Sequence, residues 1–265
     1  MKRSEGSVIP GNTIQIISPA SGDKADRNYE ILVQGDTLCA QPAQPCPECT
    51  DYDDPQCSCM PFRKRLELFN HARIPAVFLT ATLDELWHDD TTDLSIKRAA
   101  LWIKQWAQRD PLPQRGILLS GFHGTGKSFA MAALSRFLTL DRGVSCLFVD
   151  FSQLLMDLKA RFRGKNSEVQ MYESLKAPQV LIIDDAGSGR ESEWAREVLK
   201  TVVSFRYNAC ARTFITTNLL ITAPRSPAAF ERFTGPHCAS RLAEMCYWLP
   251  LRGPDRRRSS NLSLK

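Results

Sequence analysis

The octapeptide GFHGTGKS at residues 121–128 satisfies G-x-x-x-x-G-K-[ST] at every specified position. That spacing serves one chemistry. Gly121 allows the sharp exit from a strand, Gly124 and Gly126 let main-chain N–H groups approach phosphate oxygens, and Phe122, His123 and Thr125 complete the loop. Lys127 is placed to reach the β- and γ-phosphates, and the Ser128 hydroxyl to ligate Mg²⁺. Further on, VLIIDDAG puts four apolar residues ahead of Asp184, whose carboxylate emerges where it can hold the Mg²⁺ shell. Asp185 then stands ready to orient or deprotonate an attacking water. TFITTN ends in Asn218, which can hydrogen-bond the γ-phosphate or that water, although taken alone it reads equally well as an Asn capping a strand. Together these residues describe an ATPase or GTPase. No NKxD-like guanine-reading element is visible, so ATP is favoured.

A second cluster has different chemistry. Cys46-x₂-Cys49-x₇-Cys57-x-Cys59 brings four thiols within fourteen residues, enough for a closed tetrahedral Zn²⁺ site. Four Cys with no nearby His favours a structural metal, since a catalytic zinc keeps a position open. Such a metal would fold a segment too small and polar to fold by itself. An iron–sulfur cluster and plain unpaired thiols are the alternatives. Cys39, Cys146, Cys210, Cys238 and Cys246 are scattered and read as small core residues. His71 reads as a residue on a helix face.

The elements that must position these groups follow from patterning. GILLS (116–120), CLFVD (146–150), VLIID (180–184) and TFITTN (213–218) are short apolar runs with amphipathic helical stretches between them. That alternation predicts an α/β fold, a parallel sheet with helices on both faces. Ahead of it, LSIKRAALWIKQWAQR reads as a helix from Asp93, with Leu94, Leu101, Trp102 and Trp106 at helical spacing, and RKRLELFNHARIP as a shorter one ended by Pro75. In residues 1–45, NTIQIIS and YEILVQG alternate like strands, but nothing there promises a large core. The division expected is an acidic N-terminal module with the cysteine knuckle (1–60), a helical linker (61–110), an ATPase core (111–258) and a disordered basic tail (259–265).

With 265 residues and 43% apolar content the chain is long enough for one large domain or a small one joined to a medium one. No apolar run is long enough to span a bilayer, and MKRSEGSVIPGNTIQ lacks the apolar stretch of a secretory signal. A cytoplasmic protein with reduced thiols is the expectation. Residues 1–60 hold four basic and nine acidic side chains against 34 and 29 in the whole chain, so the first sixty carry −5 and the remainder +10. An acidic module on a basic body suggests two partners of opposite electrostatic character.

GFHGTGKS, VLIIDDAG, RYNACARTFITTN and the later SRL, in this order, resemble the AAA+ ATPases of the DnaC/DnaI helicase-loader and IstB transposition-helper group. The resemblance covers roughly residues 61–258. It implies that Asn218 is the sensor 1 residue and that Arg241, in CASRL, is an arginine finger acting on the ATP of a neighbouring subunit, which couples hydrolysis to self-association. GPDRR at 253–257 fits the spacing of the group's G-x-S-Y-R element and makes Arg257 the sensor 2 candidate, with Asp255 and Arg256 in place of Ser and Tyr. A zinc-stabilised module ahead of such a core resembles the DnaI-type loaders and implies a grip on a hexameric replicative helicase. The reading is therefore an ATP-dependent loader of that helicase onto single-stranded DNA, with hydrolysis driving release. The alternative is an IstB-like transposition helper that coats DNA and regulates a transposase. Extra helical structure after the second strand lines the DNA pore in such proteins, which implies contacts from Arg161, Arg163 and Lys165 in RFRGKNS.

Overall fold

The computed structural model describes residues 15–17, 28–44, 46–47, 49, 56–86, 93–161, 165–187, 192–221 and 228–259. It opens with β1 (Gln15–Ile17), β2 (Tyr29–Gln34) and β3 (Thr37–Pro42), an antiparallel sheet in that order. Gly35 and Asp36 form the two-residue loop between β2 and β3, with Gly35 at φ 63° as so tight a hairpin requires. Alternation then buries Tyr29 and Ile31 on β2, and Leu38 and Ala40 on β3.

Those four side chains meet α1 (Met60–His71), which turns Phe62, Leu66 and Phe69 toward them at helical spacing. Asn70 of α1 closes the outer edge of β3: its amide accepts from Ala40 N at 2.6 Å and donates to Ala40 O at 3.1 Å. His71 stays exposed, its Nδ1 2.7 Å from Glu67 O. The expectation that the N-terminal strands build no large core is corrected here. Tyr29, Ile31, Leu38 and Ala40 belong to the same continuous core as Leu134 and Leu138 of the ATPase region. A 3₁₀ turn at Ala76–Phe78 follows, and it is stitched to the hairpin. Leu38 N donates to Ile74 O and Ala76 N to Asp36 O, each at 2.8 Å.

The helix α2 (Leu94–Gln108) begins where Asp93 accepts from Ser95 N at 2.7 Å. Its buried face is Ile96, Ala99, Ala100, Ile103, Trp106 and Ala107, whereas Leu94 and Leu101 are 69% and 57% exposed. Of the four residues at helical spacing, Trp106 is thus buried, and three alanines share its face with Ile96 and Ile103.

From here strands and helices alternate: β4 (Gly116–Gly121), α3 (Lys127–Leu140), β5 (Cys146–Asp150), α4 (Phe151–Arg161), α5 (Lys165–Lys176), β6 (Val180–Asp184), α6 (Glu193–Asn208), β7 (Arg212–Thr217), α7 (Ala229–Thr234), α8 (Pro236–Met245), β8 (Cys246–Leu251) and the single turn α9 (Arg256–Ser259). The sheet order is β5-β6-β7-β4-β8, and every pairing is parallel. Each strand divides its side chains between two cores. Ile117, Leu119, Val180, Ile182 and Phe214 face the side of α1, α2 and α3. Leu118, Leu181, Ile183 and Ile215 face that of α4, α6 and α8. The edge strand β8 has no counterpart among the sequence expectations. It tolerates Pro250 because it is an edge, and Tyr247 is held against Trp102, centroids 4.4 Å apart, under Arg115.

Arg206 of α6 is fully buried. It gathers main-chain oxygens from the β6 and β7 approaches, donating to Pro178 O at 2.7 Å, Lys176 O at 3.3 Å and Gln179 O at 3.4 Å. Burial pulls its pKa down to about 10, so it remains a cation at neutral pH. The Arg of the RY pair is thus a clasp on the sheet, remote from phosphate chemistry. Arg206→Met is expected to cost about 3–5 kcal/mol, because it orphans several carbonyls at once. Urea unfolding measures this, and a loss below about 1 kcal/mol would contradict the clasp. Among the described residues no helix is long and apolar enough to cross a membrane.

Candidate active site

Parallel strands deliver their C-terminal ends to one edge, and β4, β6 and β7 bring Gly121, Asp184 and Thr217 there side by side. The loop leaving β4 returns as α3, whose N-cap Gly126 has φ 92°. That left-handed backbone is open to glycine and turns successive N–H groups toward the cleft. Gly124 is constrained twice: φ is 74°, and a Cβ there would lie 1.7 Å from Asp255 Oδ1. Arg256 N donates to Gly124 O at 3.1 Å, so the GPDRR strap is fastened directly onto the phosphate loop.

Lys127 is 6% exposed. Its ammonium donates to Gly121 O at 2.7 Å, Phe122 O at 2.9 Å and Asn218 Oδ1 at 2.7 Å. Burial pulls its pKa down to about 8, with Asp185 and Asp184 resisting the shift. Asp184, itself buried, is pushed above the usual carboxylate range by burial, against hydrogen bonds from Thr216 and Ser128. The Ser128 hydroxyl and Asp184 carboxylate therefore sit in contact, a pair of hard oxygens suited to a divalent cation such as Mg²⁺. Asp185 adopts φ 57°, rare for a residue with a side chain, and its carboxylate accepts from Asn218 Nδ2.

These groups line one cleft of about 700 Å³. It also takes in Asp150, Arg256 and the sensor 2 candidate Arg257, while Pro75, Val77 and Phe78 form an apolar wall. The sequence-derived phosphate loop, Asp184, Asp185, Asn218 and Arg257 thus converge. Arg241 lies elsewhere, on α8, where it donates to Ser204 Oγ at 2.6 Å with its guanidinium 5.5 Å over the Tyr207 ring. Of the DNA-contact candidates, Arg163 lies outside the described residues. Arg161 ends α4 and Lys165 begins α5, and the side chains of both lie outside the described residues. Sequence reasoning missed Thr216 and the Pro75–Phe78 wall. Only the TTN triplet carried a signal for the first, and the second rests on contacts with the N-terminal hairpin.

The four knuckle sulfurs all lie within 4.8 Å of one another. Cys46 and Cys57, and Cys49 and Cys59, are each 3.6 Å apart, too far for disulfides. Zn–S arms of about 2.3 Å give a tetrahedron with edges of about 3.8 Å, so the donor set fits a structural Zn²⁺. Burial, reinforced by the neighbouring sulfurs, holds the Cys49 and Cys59 thiols above their ordinary range. Cys59 is also the N-cap of α1, which joins the cluster to the core. Of the scattered cysteines, Cys146, Cys238 and Cys246 are buried as expected, Cys39 is half-buried, and Cys210 is exposed. The reading of Cys210 as a core residue is corrected: at φ 49° it closes the turn between α6 and β7.

The family model described as IstB-like ATP binding protein matches residues 62–228. The replicative helicase loader DnaC of Buchnera aphidicola subsp. Baizongia pistaciae is 27% identical over 125 residues, 46% of this chain and 50% of its own length. That of Escherichia coli K12 is 31% identical over 103 residues, 38% of this chain and 42% of its own. The chain thus spans about half the length of these curated relatives. A solved structure, the crystal structure of the DnaC helicase loader, matches with TM-score 0.55 at 26% identity, over 67% of this chain and 99% of that one.

Proposed function

The chain belongs to the IstB-like ATP binding protein family, and on that premise we propose that it is an ATP-dependent loader of a hexameric replicative helicase onto single-stranded DNA. The observation that carries this reading is the four-cysteine cluster fixed to the start of α1, a metal-binding handle ahead of a nucleotide-hydrolysing core. The similar proteins named replicative helicase loaders support it.

In the ATPase cycle, the phosphate loop and Lys127 bind and orient the triphosphate. Ser128 and Asp184 would hold Mg²⁺, which neutralises charge building on the transferred phosphoryl group. Asp185, steadied by Asn218, directs a water at the γ-phosphate. Arg257 reaches the cleft from the C-terminal strap. Arg161, Arg163 and Lys165 are proposed to track the DNA backbone. A transposition-helper role is the second reading, favoured by the description of the matching family.

Arg241 stands away from its own cleft and supplies the arginine finger to a neighbouring copy. Arg241→Ala is expected to keep ATP affinity and lose hydrolysis by at least about 10²-fold. Mixing it with Asp185→Asn should recover part of the activity at mixed interfaces. Undiminished turnover by Arg241→Ala alone would refute the role.

Association separates the two readings. Tagged full-length protein should retain a replicative helicase hexamer and carry about one zinc per chain, the content a single four-thiolate site predicts. Cys49→Ser should lose both metal and helicase while still binding ATP. Retention of a DDE transposase instead would favour the second reading, and a metal-free chain with intact helicase binding would rule out the handle.

A further inference from the structure

The last residues of β7 grip the turn after β6 one residue at a time. Thr216 Oγ1 donates to Asp184 Oδ1 at 2.6 Å and accepts from Asp185 N at 2.8 Å. Thr216 O accepts from Ala186 N at 2.8 Å, and Thr217 Oγ1 donates to Ala186 O at 2.6 Å. Asn218 Nδ2 completes the set on the Asp185 carboxylate. Three consecutive residues thus fix three others, and one of the fixed residues, Asp185, has a left-handed backbone that few L residues adopt.

We propose that Thr216 is a positioning residue of the hydrolytic centre, its hydroxyl setting the orientation of Asp184 and Asp185 together. This rests on the reading of the site as an ATPase and names the group that aligns its two acids.

Three observations separate this role from plain packing. First, Thr216 is fully buried, so its hydroxyl must find partners inside the protein, and both partners belong to the acid pair. Second, the hydroxyl has one proton. One of its two lone pairs accepts from the Asp185 N–H, and the proton goes to Asp184 Oδ1. Third, the other buried threonines of β7 bond elsewhere. Thr213 bonds Ala211 O and Arg206, and Thr217 bonds the main chain of Ala186. Of the three threonines of β7, Thr216 is the one whose hydroxyl touches a carboxylate expected to do chemistry. A β-branched residue also suits the strand, so valine would preserve shape and propensity while deleting the hydroxyl.

The test compares Thr216→Val, Thr216→Ser and Thr216→Ala in the full chain. The readouts are ATP turnover, the dissociation constant for a fluorescent ATP analogue with Mg²⁺, and thermal melting. Thr216→Val is expected to lower kcat about 10–100-fold, as loss of a supporting hydrogen bond to a ligating carboxylate does, with nucleotide affinity within about threefold of wild type. Thr216→Ser should recover most of kcat despite losing the methyl group. Should Thr216→Val fail to fold, the Ser and Ala variants carry the same contrast at matched small volume. Equal impairment of Ser and Ala variants, or wild-type kcat in a folded Val variant, overturns the proposal. Absence of ATP turnover by the wild-type protein would instead remove the ATPase reading beneath it.

Discussion

Lys127→Ala is expected to weaken ATP binding by about 10²–10³-fold, about 3–4 kcal/mol, the range for truncating one partner of a buried charged pair. The ammonium already sits among three oxygens at 2.7–2.9 Å, so the loop is shaped around a cation. Removing it leaves the Gly121 and Phe122 carbonyls facing an incoming polyanion. Titration with a fluorescent ATP analogue measures the loss, and affinity within about threefold of wild type would contradict the assignment. The same residue predicts a pH dependence. Burial sets the Lys127 pKa at about 8 in the free protein, and bound phosphates favour the protonated form and raise it. Below pH 8 the amine is already charged and affinity should be flat. Above pH 8 binding must take up a proton, so affinity should fall by up to about tenfold per pH unit until the pKa of the complex is passed. The Ala variant should lack this slope.

Asp185→Asn is expected to keep nucleotide affinity while lowering kcat by about 10²–10³-fold, the scale of a lost general base. The backbone explains why this substitution is informative. At φ 57° asparagine is among the few side chains that sit comfortably, so the fold should carry the change without strain. The amide is nearly the size of the carboxylate and remains beside Asn218, yet it cannot take a proton from water. A pre-steady-state measurement showing bound but uncleaved ATP would match this outcome. Turnover at the wild-type rate would show that another group activates the water.

Strands β4 and β6, which carry the phosphate loop and Asp184, were legible because each is buried on both faces. GILLS, CLFVD and VLIID are short apolar runs, the last two ending in Asp, and β5 and β6 begin and end where those two runs do. The phosphate loop was legible because its glycines answer to local geometry. Strand β8 was not: CYWLPL contains a proline, and its place beside β4 is set by Trp102 and Arg115, more than a hundred residues away in the chain. The face of α2 was legible only in part: Trp106 is buried, but Leu94 and Leu101 are exposed and three alanines share the inward face with Ile96 and Ile103. The roles of Arg206 and Thr216 also escaped notice. Both depend on which carbonyls and carboxylates the fold gathers around a single polar side chain.

The stitch between the β2–β3 hairpin and Ile74–Ala76 has a mechanical meaning. Pro75, Val77 and Phe78 are wall to the nucleotide cleft, while Ile74 and Ala76 are bonded to the hairpin. One short stretch of chain therefore has a foot in each compartment. Just behind it, Arg136 on α3 donates to Leu79 O at 3.2 Å and to Ala81 O at 3.4 Å, and its guanidinium also hydrogen-bonds Tyr29 of β2. The β2–β3 hairpin is thus mounted on the motor like a crank on its shaft, bonded to it at two places. A load on the hairpin must strain the cleft wall, and a cleft that closes on its nucleotide must move the hairpin.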